Sequence, residues 1–190
     1  YEDYLSSYIN DAKPKAFSFD HYAMMDDGTI RPAFFEGLEV VRRTSLKTGV
    51  PFWAVLLSCA HFRYAEPSPA TLRFQAYTAL AYGARGIGWF TYVQRDRGNY
   101  RDSAIDIAGH RTPTWDMLRD VNMQLQRLAP TIVKLKSVNV FHFPEIPLGC
   151  KGIESSHFLD DIRGSGPFIV GEFEDPDGTP TVIIVNKDIQ

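Results

Sequence analysis

The apolar positions of this chain fall into short runs with a polar or aromatic end, and each run is followed by residues spaced for a helix. The runs are AFSFDHY (16–22), FWAVLLS (52–58) and GIGWFTY (86–92). Phe17, Phe52 and Ile87 follow one another at intervals of 35 residues. Tyr1, Tyr4, Leu5, Tyr8 and Ile9 lie at i, i+3, i+4, i+7 and i+8, which predicts one apolar face of an opening helix. Lys13-Pro14 ends it. A helix is expected over 33–48, burying Phe34, Leu38 and Val41, with Gly49 beyond its end. A second is expected from the cap Ser68 and Pro69 to about Tyr82. A third runs from about Thr114 to Ala129. Between Val93 and Arg111 lies a long polar loop, and loops of that length are usually functional or disordered.

The pattern changes after Pro130. Ser137–Phe143 reads as a strand, 144–166 as irregular, and FIVGEF and TVIIV flank the turn DPDGTP as a hairpin. Strand–helix units repeating at this interval imply parallel strands with crossover helices. The period is close to the roughly 31 residues per unit of an eight-unit barrel. The expected fold is therefore α/β: the last three βα units of a partial (β/α)₈ TIM barrel over residues 1–130. A linker and the start of an all-β sandwich domain follow over 131–190. Three units cannot close a barrel, so the chain reads as an internal piece of a longer protein, expected to be inactive alone and to associate.

Composition narrows the classes. The 190 residues are 44% hydrophobic and 23% charged, with a net charge of −3. That balance provides no electrostatic footprint for nucleic acid or an anionic membrane, and no apolar run approaches the roughly 20 residues of a membrane span. Two cysteines, Cys59 and Cys150, read as free thiols. No HxH, HExxH or CxxC spacing supports a metal, and no cofactor is expected.

A parallel strand buried on both faces should be apolar throughout. Asp20-His21 interrupts the first strand near its C-terminal end, where a barrel keeps its chemistry. Asp20 is thus the candidate catalytic carboxylate, with His21 and Tyr22 as substrate contacts. The second strand ends LLSCAH; Ser58 or Cys59 with His61 suggests a nucleophile pair, but the G-x-S-x-G elbow is absent and adjacent strand residues point to opposite sides. His61 is retained as a substrate contact. The third strand ends GWFTYVQ. Trp89, Tyr92 and Gln94 offer aromatic faces and hydrogen-bonding groups of the kind that hold a sugar. Gly83, Gly86 and Gly88 precede a strand, whereas dinucleotide-binding glycines follow one, so they mark a helix stop.

The segments KPKAFSFDHY, FFEGLEVVRR, GVPFWAVLLS, LRFQAYTALAYGARGIGWFTY and AIDIAGHRTPTWDMLRDVNMQL resemble the sixth to eighth βα units of clan A glycoside hydrolases, closest to family 42 β-galactosidase-like barrels. The resemblance covers roughly Tyr1 to Ala129, and the region after it resembles the β-sandwich appended to many such barrels. It implies hydrolysis of O-glycosidic bonds in oligo- or polysaccharides by two carboxylates. The family's acid/base would lie before Tyr1. Its nucleophile would end the second strand, where Val55–Ser58 has no acid. By position the resemblance carries over only Asp20, Tyr22 and Trp89, as pocket residues. Two alternatives remain: a barrel that binds sugar without cleaving it, and a sugar-phosphate aldolase or isomerase using Arg95, Arg97, Arg101 and Arg111 of the long loop.

Overall fold

The computed structural model describes residues 1–164 and 166–189. Helix α1 (Glu2–Ala12) leads to strand β1 (Phe17–Asp20), helix α2 (Phe34–Thr48), strand β2 (Phe52–Leu57), helix α3 (Pro69–Ala81), strand β3 (Gly86–Phe90) and helix α4 (Pro113–Ile132). Strands β4 (Lys136–Phe143), β5 (Phe168–Glu174) and β6 (Pro180–Asn186) complete the chain.

Each element has a local cause. Ser68 accepts from Thr71 N while the Thr71 hydroxyl accepts from Ser68 N, so a reciprocal cap starts α3. Gly49 stops α2 in the left-handed region at φ 72°. Helix α4 runs through Pro130 to Ile132, past the expected stop at Ala129. Arg85 makes the longer end possible: its guanidinium donates to the carbonyls of Ile132, at 2.6 Å, and Leu135. In the β5–β6 turn, Asp175 Oδ1 accepts from Asp177 N and Thr179 N, and Gly178 takes φ 80°.

The expected partial (β/α)₈ barrel with a β-sandwich is not the fold observed. The described residues form a small mixed α/β architecture: four α-helices, one three-stranded parallel sheet in the order β1-β2-β3, and one three-stranded antiparallel sheet in the order β4-β5-β6. Phe17, Phe52 and their neighbours do pair in parallel, but β1 and β3 are both free edges among the described residues. An interval between strands sets the direction of pairing. Closure needs about eight tilted strands joined edge to edge, which a three-strand pattern cannot specify. The antiparallel strands form a single layer that packs on α3, so they do not make a two-sheet sandwich.

Both sheets meet one core. Phe17, Phe19, Phe52, Ala54 and Leu56 face the helices, and Val140, Ile169 and Val185 of the antiparallel sheet join the same cluster. The opposite face of the parallel sheet is open. Ser18 and Asp20 are exposed there, and Trp53, 52% exposed, lies over Gly86.

The contact between α3 and β5 depends on a missing side chain. A Cβ on Gly171 would overlap the carbonyl of Ala81. Neither backbone can yield cheaply, so Gly171→Ala is expected to cost about 1–3 kcal/mol. Thermal unfolding measures this; an unchanged midpoint would show that the helix and sheet can separate without loss.

Candidate functional site

The site lies beyond the C-terminal ends of the parallel strands. Chain leaving β1 carries Tyr22, chain leaving β2 carries His61 and Tyr64, β3 ends in Phe90, and the long loop returns with Tyr100. Their rings form one cluster. Tyr22 stacks on Phe90 at 5.8 Å and meets His61 and Tyr64 edge-on at 5.7 and 5.4 Å. His61 lies parallel to Tyr100, 4.7 Å away with 5° between the planes. Contacts of this geometry add about 0.5–1.5 kcal/mol per aromatic pair beyond area burial.

The long loop is held in place by pairing. Ala60 and Arg101 exchange backbone bonds of 2.9 and 3.0 Å, and Ile105 pairs with Val93 and Arg111. Asn99 brackets Phe62, accepting from its N–H at 2.6 Å and donating to its carbonyl at 3.0 Å. Asp106 Oδ1 accepts from the N–H groups of Ala108 and His110. These bonds fix Tyr100 against His61.

Asp20 stands at the rim. The Tyr22 hydroxyl donates to Asp20 Oδ2 at 3.2 Å, and the Asp20 residue is exposed. Burial first, and then the Asp20 charge, push the Tyr22 phenol well above its ordinary range, so it remains a donor at any ordinary pH. Burial lowers His61; Arg95 lowers it further and Asp20 opposes both. The ring is therefore neutral near pH 7. Asp20 and His21 also line an open cleft of about 610 Å³ between β1, α1 and α2, with Arg31 and Glu36 on its wall.

Of the residues expected from sequence, the structure brings Asp20, Tyr22 and His61 together. His21 packs edge-on against Phe19 and Phe34 at 5.8 Å each, on the α2 side of the strand, and burial lowers its basicity. Trp89 turns toward α4, donating its indole N–H to Asn122 Oδ1 at 2.9 Å within the core. Tyr92 is exposed and accepts from the Trp115 indole at 3.2 Å. Gln94 is tied by its backbone N–H to the Ile105 carbonyl. None of these last three joins the aromatic cluster. Alternation along β3 explains Trp89: it shares the helix-facing side with Ile87, while Phe90 takes the other.

Ser58 and Cys59 are fully buried, and burial raises the Cys59 thiol. Its sulfur is 3.9 Å from His61 Nδ1, a packing contact between neutral groups. Tyr64, Phe90, Tyr100 and Arg31 were not among the residues expected at the site, and Arg95 was expected only as a phosphate-binding group of the sugar-phosphate alternative. The runs HFRY (61–64) and GNYR (98–101), with an aromatic beside an arginine in each loop, are the signal that could have found two of them. Among the described residues no group of three His, Cys, Asp or Glu side chains is placed to hold a metal ion. No helix is long and apolar enough to cross a membrane.

Comparison with protein-family models gave no match, and comparison with curated proteins gave none either.

Proposed function

We propose that this chain carries a carbohydrate-binding site of a glycoside hydrolase, with the aromatic cluster as its floor and Asp20 as its carboxylate. The observation that carries this reading is the aromatic floor with Asp20 at its rim. Tyr22, His61, Tyr64, Phe90 and Tyr100 converge from the ends of three strands, and an exposed carboxylate oriented by a phenol stands beside them. A pyranose has an apolar C–H face and a rim of hydroxyls. Rings receive the first, and Asp20 Oδ1 and the Arg31 guanidinium can bond the second.

Glycosidic cleavage in most families needs a pair of carboxylates. Asp20 is the carboxylate that touches this cluster, while Glu66 is engaged by Arg101 at 3.3 Å. That single acid favours a second reading, a site that binds sugar without hydrolysing it. The loop arginines of the sugar-phosphate alternative do not gather: Arg101 pairs with Glu66, Arg111 stacks on Trp115 at 3.9 Å, and Arg95 lies over Phe90 and Tyr100.

Two measurements test the proposal. Titration with neutral and charged oligosaccharides, followed by tyrosine fluorescence, is expected to show binding that Tyr100→Ala weakens about tenfold, equivalent to about 1.4 kcal/mol. Turnover of aryl glycosides is expected to fall about 100- to 10,000-fold in Asp20→Asn, the range for loss of a general acid or base. Binding without turnover would select the second reading, and absence of binding to any sugar would end both.

A further inference from the structure

Two guanidinium groups lie on this floor, and neither is paired with a carboxylate among the described residues. Arg95 sits over Phe90 at 4.9 Å and Tyr100 at 5.7 Å. Arg31 sits over Tyr64 at 5.8 Å and donates from Nη1 to the Tyr64 hydroxyl at 2.6 Å. Both are exposed. Four acids of the surrounding loops serve other arginines. Arg63 reaches Asp26 at 3.4 Å and Asp27 at 3.7 Å, and Arg101 reaches Glu66 at 3.3 Å and Asp102 at 3.8 Å. The arginines left without ion partners in this region include the two that stack on the floor.

We infer that the sugar bound on this floor carries an anionic group, a carboxylate or a sulfate, held between Arg95 and Arg31. The inference rests on the carbohydrate reading and adds the class of sugar. A guanidinium stacked on a ring has its plane already oriented, so less side-chain freedom is lost when it receives an oxyanion in bidentate fashion. Rings beneath it exclude water from one side and strengthen the attraction. The field of Arg95 already reaches the site, where it is among the groups that lower His61. Asp20 opposes an anion but is one charge against two.

The test uses the 190-residue chain and three matched ligands in calorimetric titration. One is an oligosaccharide of uronic acid units, the second its carboxyl-reduced counterpart, and the third the neutral backbone bearing sulfate. An acidic ligand is expected to bind at least tenfold tighter than the carboxyl-reduced one at low salt, with the margin shrinking at 0.5 M salt. In Arg95→Gln the preference is expected to fall to within about twofold while affinity for the neutral ligand holds; Arg31→Gln, which also removes a donor to the sugar hydroxyls, is expected to narrow the preference while weakening all three ligands. Whether uronate or sulfate binds tighter identifies the group. Equal binding of the acidic and reduced sugars overturns the inference and leaves the carbohydrate site standing. Binding of none of the three overturns both.

Discussion

Acidification from pH 6.5 to pH 4 is expected to remove on the order of 3 kcal/mol of folding stability through His142 alone. The ring is 1% exposed and packs 4.7 Å from Phe35. Its Nε2 meets the Tyr82 hydroxyl at 2.9 Å, and Nδ1 has no hydrogen-bond partner. Burial, with a smaller push from the Lys187 charge, lowers the imidazole to about 3. The sign follows directly. Below about pH 6.5 the unfolded chain takes up a proton that the folded chain refuses until about pH 3. The stability is present in full above pH 6.5, falls through that window, and levels off below it. Against a typical total of about 5–15 kcal/mol this is a large share. Denaturant titrations at several pH values would measure the slope. His142→Gln is expected to flatten it by about one proton between pH 6.5 and 5, where carboxylates contribute little. An undiminished slope in that variant would place the proton uptake elsewhere.

The second large effect is expected at Glu172, which is fully buried in β5. Its Oε1 accepts from the Ser156 hydroxyl at 2.5 Å and from Phe158 N at 3.2 Å. Its Oε2 accepts from His157 N at 3.0 Å and from Asn139 Nδ2 at 3.1 Å. Asn139 in turn accepts from Lys151 Nζ at 3.2 Å. Burial raises this carboxyl, but the Ser156, His157, Asn139 and Phe158 bonds outweigh it, and the net displacement is downward. Glu172→Ala would leave these donors without an acceptor, at a cost of about 3–5 kcal/mol. Its loss would also free the segment around Ser156–Phe158 from the sheet, seen as faster proteolysis there. Glu172→Gln keeps the shape and is expected to cost less. For a lowered carboxyl the contribution is present above the ordinary value of 4.5 and is lost as pH falls through the folded value. That window opens only below 4.5, so the stretch from pH 6.5 to about 5 reports His142 without Glu172, and the two overlap at lower pH. Equal stability of the wild type and Glu172→Ala would refute the role assigned to the carboxylate.

Much of the chain's local order was legible in its pattern. Ser68 and Pro69 marked the start of α3, Gly49 the end of α2, and DPDGTP the β5–β6 turn, because caps and turns depend on residues a few positions apart. The parallel pairing of β1, β2 and β3 followed from their spacing and the helices between them. Asp20 and Tyr22 stood out as polar groups where the first strand ends, and His61 beside Ser58 and Cys59 where the second ends; the first strand was expected to be buried on both faces, whereas Asp20 is exposed on the open face of the sheet.

The rest depended on residues distant in sequence. Closure was the property that spacing could not supply, and the sheet stays open at β1 and β3 among the described residues. Trp89 was expected at the site, but the direction of the β3 pleat turns it toward α4 and sets Phe90 on the floor instead, and one residue of register is enough to do so. Tyr64 and Tyr100 reach the floor only because Ala60 pairs with Arg101 across 41 positions of chain. The burial of His142 and Glu172 likewise arises where β4 and β5 meet elements far away. The sequence by itself determined the caps, the turns and the strand direction, all products of short-range chemistry. Only the tertiary structure decided which side chains share a surface, since that follows from pairing and packing between segments that the local pattern leaves independent.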